Sequence, residues 1–174
     1  MGYTHYWYRT PNFDPARFRV WVRDVRWLHD QLPEFTTSAG GYYHDRRLSI
    51  HGPDGRGDAV FNSTLVAFNG RNGGRSALVD LDHETFYVPR RLTPAPHHTT
   101  DDVGRYFAFC KTARKPYDLL VTAALIALKH HFPDVSVLTD GDASDWREGL
   151  ELSRHVLNYG ELPFHVARYR QRGG

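Results

Sequence analysis

The stretch "GRYFAFCKTARKPYDLLVTAALIALKHHFPDVSVLTD", residues 104–140, decides the fold. Its opening "GRYFAFCKT" is rich in aromatic and β-favouring residues and reads as a strand. "PYDLLVTAALIALKHHF", 116–132, is apolar on nearly every side, which predicts a buried helix. "VSVLTD", 135–140, reads as a second strand. If both strands run parallel in one sheet, the right-handed crossover rule places the helix on one face and brings their C-terminal ends together. Lys111 then shares a sheet end with Asp140 and Asp142 of "TDGD", where α/β sheets generally build ligand sites.

Outward from that unit, "DASDWREGLELSRHVLNYG" predicts a further helix, with Asp145 and Glu148 in capping-box spacing and Gly160 as its stop. "GYTHYWY", 2–8, reads as a strand with Tyr3, His5 and Trp7 on one face and Thr4, Tyr6 and Tyr8 on the other. "DPARFRVWVRDVRWLHDQLP", 14–33, carries Asp14 as N-cap, Pro15 at the first helical position and a stripe of Phe18, Trp21, Val22, Val25, Leu28 and Leu32, an amphipathic helix. Arg17, Arg19, Arg23 and Arg26 fall mostly off the stripe and read as a solvated face. Residues 33–57 read as a long loop with a short strand at "RLSIHG". "VFNSTLVAFNG" and "SALVDLDHETFYV" read as a hairpin joined by "RNGG". A Pro-rich link leads back to residue 104. The expected fold is α/β, a single-domain mixed sheet with packed helices and a C-terminal βαβα unit, spanning residues 1–170, with 171–174 a flexible tail.

Composition bounds the function. The chain has 174 residues, 22 basic against 20 acidic, for a formal charge of +2. That balance argues against a protein that wraps nucleic acid, while leaving room for a local basic patch. Cys110 is the single cysteine, so no internal disulfide forms, and alternation sends it to the core if Lys111 faces a site. No leader or membrane-length apolar run stands out, and the expected location is cytoplasmic. Eleven histidines invite a metal reading, but no H-x-x-x-H or C-x-x-C spacing places two ligands on one face.

The chemistry concentrates in "FCKTARKPYD", 109–118. Three cations crowd a helix start, a place that favours acids. Lys111, Thr112, Arg114 and Lys115 are therefore expected to hold a phosphate or carboxylate, unless Lys111 pairs internally with Asp140. The motif lacks the glycine run of a P-loop. In "DLDHETF", His83 and Glu84 offer a general base and its polar partner, with a water-exposed edge pair as the plain alternative. His83-Glu84-Thr85 and His97-His98-Thr99-Thr100 match an H-x-T phosphoesterase pattern only weakly, because they lie too close together. Asp82, Glu84 and Lys111 offer a nuclease-like acid, acid and lysine at poor spacing. His5, in a strand between aromatics, reads as a buried, backbone-bonded histidine or as a ligand.

"MGYTHYWYR" at the start, "FNG" at 68–70, "HETF" at 83–86, "FCKTARKPYD" and "DGD" at 140–142 together resemble a group of small uncharacterised bacterial and phage proteins beginning MGYTHYW. The segment "RNGGRSALVDLD" departs from that pattern by its length. The resemblance implies where signature blocks fall and no activity. The resulting expectation is a protein that binds a small anionic ligand, phosphate- or carboxylate-bearing with nucleotide-like molecules among the candidates, and acts on it by acid/base chemistry. In it His83, Glu84 and Asp140 are catalytic, and Lys111, Thr112, Arg114, Lys115, Tyr117, His5 and Trp7 bind. Two alternatives are a non-catalytic binder sequestering a nucleotide signal or host factor, and a metal enzyme using His5, His83 and a carboxylate. No cofactor is named by the sequence.

Overall fold

The structure, a computed structural model, describes residues 2–37, 46–74, 80–161 and 164–169. Among the described residues, six strands and three α-helices follow in the order β1 (Thr4–Arg9), α1 (Pro15–Asp30), β2 (Val60–Phe61), β3 (Leu65–Phe68), β4 (Phe86–Pro89), β5 (Tyr106–Lys111), α2 (Asp118–His131), β6 (Ser136–Thr139) and α3 (Arg147–Leu157). The α/β class and the closing strand–helix–strand–helix order are those the sequence predicts.

The strands divide between two antiparallel sheets, ordered β5-β1-β6 and β2-β3-β4. β5 and β6 each pair antiparallel with β1, so they run parallel to one another with β1 between them and their C-terminal ends together. The predicted hairpin makes the second sheet, and its geometry differs from expectation. A tight turn at Asn62 joins β2 to β3, with the Asn62 side chain accepting from the Thr64 and Leu65 N–H groups at 2.9 Å each. β4 begins only at Phe86, after a long non-strand connection. Part of the predicted strand, and the stretch after "RNGG", lie at 75–79, outside the described residues, as does much of the predicted loop at 38–45.

Packing explains the helices. Asp14 caps α1 by accepting from Arg17 N–H, and Phe18, Trp21, Val22, Val25 and Leu28 are buried on one stripe. Leu119 to Leu128 of α2 are buried without exception, so this helix is the centre of the core. Trp21 donates from its indole N–H to Ala124 O at 3.1 Å, tying α1 to α2. α3 starts later than predicted. A 3-10 turn over Ala143–Trp146 comes first, and the capping box joins Asp142 to Asp145, one turn before the expected Asp145–Glu148 pair. α3 ends on Asn158 in the left-handed conformation, φ 57°, which serves the role predicted for Gly160.

Arg9 joins the sheets. Its buried guanidinium donates to Pro89 O at 2.5 Å and Arg90 O at 3.1 Å, and lies over the Phe13 ring at 3.9 Å. Removal from water lowers its pKa to about 9. Among the described residues no helix is long and apolar enough to cross a membrane.

Candidate functional site at the strand ends

The register of β1 sets the site. Thr4 pairs with Lys111 across β5, and Asp140 donates its N–H to Thr4 O at 3.0 Å from the β6 side. Lys111 and Asp140 thus flank Thr4 at one sheet end. Alternation then separates the predicted residues. His5 pairs with Cys110 and with Thr139, all buried against the helices. Lys111, Asp140 and Tyr6 occupy the opposite, open face, where the Tyr6 hydroxyl donates to Asp140 at 3.1 Å.

Under the sheet, a polar cluster forms around Asp118. His5 Nε2 lies 2.7 Å from Asp118 Oδ1, and the Thr112 hydroxyl donates to the same oxygen at 2.6 Å. The Thr112 hydroxyl expected to meet a bound anion therefore meets the chain's own carboxylate. Three buried polar atoms nearby have no hydrogen-bond partner among the described residues: Tyr3 Oη, His5 Nδ1 and Trp146 Nε1. Their rings stand edge to face, Tyr3–His5 at 4.9 Å and His5–Trp146 at 5.0 Å. Burial, followed by the Asp118 and Asp145 charges, pushes the Tyr3 phenol far above its ordinary range. A cleft of about 20 Å³, bordered by Thr36, Asp118, Asp145 and Glu148, opens beside this cluster and has room for a single water.

The junction cations are answered in different ways. Ala113 and Arg114 both adopt left-handed backbone, φ 51° and 58°, which is costly for side-chain-bearing residues. That turn brings Arg114 onto Asp145 and lays its guanidinium 4.0 Å over the Tyr3 ring. Lys115 donates to Asp80 O at 3.1 Å and sits 3.8 Å from its carboxylate. Lys111 Nζ meets no acid among the described residues. The helix N–H groups are also occupied: Asp118, Leu119 and Leu120 donate back to Lys115, Pro116 and Tyr117. α2 opens at Asp118, two residues after the predicted start at Pro116.

The predicted pair His83–Glu84 takes a different form. Residues 80–85 are not strand, so the predicted hairpin strand "SALVDLDHETFYV" is strand only from Phe86 onward among the described residues. Glu84 accepts from Lys111 N–H at 2.7 Å, returns its own N–H to Lys111 O at 3.1 Å, and takes the Tyr117 hydroxyl on its carbonyl at 2.7 Å. It is a strap between the two sheets. His83 is exposed, and its backbone, gripped by the Asn69 amide at 2.9 and 3.1 Å, is the part that is fixed. Gly70 lies against Leu81 O so closely that a Cβ would collide with backbone. Beside it, Asp82 is pushed up by burial and by hydrogen bonding with Asp80, while Asp80 is lowered by that same bond and by Gly73 N–H. Trp7 and Tyr117, expected among the binding residues, are core residues.

Sequence reasoning passed over the open face. Phe109 is 53% exposed in the middle of β5. Phe107 stands 5.8 Å from Phe109, 5.8 Å from Tyr6 and 5.3 Å from Tyr8. The signal was present as aromatics at both parities of "THYWYR" and "RYFAFCK", more than a one-sided core requires. Among the described residues no group of three His, Cys, Asp or Glu side chains is arranged to hold a metal. No protein-family model, curated protein or solved structure matches this chain.

Proposed function

We propose that this chain is a binding protein for a nucleotide-like ligand, an aromatic base carrying a phosphate or other anionic group, held on the open face of β5-β1-β6 at the Lys111 end. The observation that carries it is the state of the three junction cations. Arg114 and Lys115 are answered by Asp145 and Asp80, whereas Lys111 has no acid partner among the described residues and stands two residues from exposed Phe109 on the same face. An ammonium group supplies charge for the anion, and a ring face supplies a stacking surface for the base. His5, expected among the binding residues, lies on the far side of the sheet, wholly buried, so this reading rests on Lys111 and the rings of the open face and invokes no proton transfer.

The test is calorimetric titration with a mononucleotide panel, alongside mass spectrometry of whatever small molecule leaves the denatured protein. A nucleotide should bind, and Lys111→Ala should weaken it about tenfold, as expected for a lost charge-assisted contact. Wild-type affinity in Lys111→Ala would remove the site. Turnover of the bound nucleotide would replace the binder reading with a catalytic one.

A further inference from the structure

We infer that the groove between α1 and the β2–β3 turn is a second ligand site, and that it takes a small phosphate monoester carrying a flat ring. This site is separate from the Lys111 face and does not rest on it.

The first ground is charge without an answer. Arg19, Arg23 and Arg26 recur at i, i+4 and i+7 on α1, so the arginines expected to form a solvated face stand in one row. Like charges at this spacing repel. Arg23 is bonded through Nε and Nη2 to Asp24 Oδ1 at 3.2 and 3.0 Å. Arg19 and Arg26 meet no acid among the described residues. Asp30, in the i+4 position from Arg26, lies instead 3.2 Å from His29 Nδ1. The two unanswered guanidinium groups match the charge of a phosphate monoester, about −1.5 to −2 at pH 7.

The second ground is the shape beside that row. A groove of about 510 Å³ runs along it, within the roughly 300–1,000 Å³ of small-molecule sites. Across from the arginines the β2–β3 turn presents further donors. These are the Ser63 hydroxyl and the Asn62 NH2, since the Asn62 oxygen is already taken by the Thr64 and Leu65 N–H groups. Phosphate oxygens accept from planar guanidinium forks and from neutral donors alike.

The third ground is a ring on the groove wall. Trp27 is 47% exposed, whereas Trp7, Trp21 and Trp146 are buried. The Arg23 guanidinium lies 4.7 Å from the centre of its ring, and Val22 and Phe61 add apolar surface to the same groove. A flat group can stack on this indole–guanidinium pair while its phosphate reaches Arg19 and Arg26. A bare anion would leave the ring uncovered, and a neutral ring would leave the arginines unpaired. The lining as a whole suits a molecule with both parts.

The experiment is calorimetric titration of the wild-type protein and of Lys111→Ala with phenyl phosphate, inorganic phosphate and benzyl alcohol. In both proteins phenyl phosphate should bind at least tenfold more tightly than either half alone, with affinity falling as salt rises. Arg19→Ala and Arg26→Ala, at exposed positions, should each weaken it about tenfold, and Trp27→Ala should abolish its advantage over inorganic phosphate. A second reading needs no variant. Of the four tryptophans only Trp27 is open to a neutral quencher, so acrylamide quenching should fall when phenyl phosphate saturates the wild-type protein. No binding of phenyl phosphate, or unaltered quenching at saturation, would overturn the inference. Equal affinity for phosphate and phenyl phosphate would reduce the groove to a site for an adventitious ion only and overturn it as well. Binding lost in Lys111→Ala but kept in Arg26→Ala would belong to the sheet face, overturning this site and leaving the nucleotide reading standing. A tyrosine-phosphorylated peptide binding tenfold more tightly than phenyl phosphate would make the occupant a protein and overturn the small molecule.

Discussion

His5 and Lys111 stand at the same end of the same sheet on opposite faces. His5 pairs with Cys110 and faces the helices, while Lys111, one residue further along β5, pairs with Thr4 and faces away. The residues expected to form a single site therefore belong to two environments, one buried and internally bonded, the other open. The two should respond differently to substitution.

Asp118→Ala removes the acceptor shared by His5 and Thr112, both wholly buried. Two polar groups are left without a partner in the core, at a cost of about 3 kcal/mol. Lys111→Ala, by contrast, should shift stability by no more than about 0.5 kcal/mol, as at most surface positions. Urea denaturation of the two variants checks the contrast. Equal losses would mean that the two faces are not separate in energy.

Ala113 offers a gain. Its φ of 51° lies in the left-handed region, which costs a side-chain-bearing residue about 1 to 2 kcal/mol and costs glycine little. The extra freedom of glycine in the unfolded chain takes back about 0.4 to 1 kcal/mol. Ala113→Gly should thus stabilise the protein by up to about 1.6 kcal/mol. Arg114→Gly, at φ 58°, should not, because it also loses the Asp145 ion pair and the contact over Tyr3. Thermal unfolding of the two variants decides it; a lower melting temperature in Ala113→Gly would refute the strain.

Much of the fold was legible because local signals agreed with tertiary burial. Pro15 after Asp14 and a regular apolar stripe mark α1, and the unbroken apolar run from Leu119 to Leu128 marks a central helix. The site was less legible for two physical reasons. In β1 both parities are β-favouring and aromatic, so the sequence does not say whether Tyr3, His5 and Trp7 or Thr4, Tyr6 and Tyr8 face the core. Between β3 and β4 the chain is held by side-chain bonds, Asn69 to His83 and Glu84 to Lys111, which leave no periodic trace. In sequence the cations at the junction lack a local acid and point to an external anion, although Asp80 and Asp145, 35 and 31 residues away, answer two of them.

Asp24 gives the acid response of the helical layer. It is buried on α1, where His131 Nε2 of α2 approaches Oδ2 at 2.6 Å, the Tyr159 hydroxyl donates to Oδ2 at 3.1 Å, and Arg23 pairs with Oδ1 at 3.0 Å. Burial alone would raise this carboxyl. Hydrogen bonds from His131 and Arg23, with Tyr159 adding to them, outweigh it and leave the carboxyl below its ordinary range. A carboxyl with a folded-state pKa below its unfolded value contributes stability that is fully present above the unfolded pKa, near 3.9, and is lost as pH falls through the folded one. Acidification below about pH 4 should therefore lower the urea midpoint of the wild-type protein, and part of that fall belongs to Asp24. Asp24→Asn should be less stable at pH 7, because it loses the charge-assisted bonds, and should show a shallower decline from pH 4 to pH 2. Parallel declines in the two proteins would show that Asp24 does not carry the acid sensitivity of the α1–α2 contact.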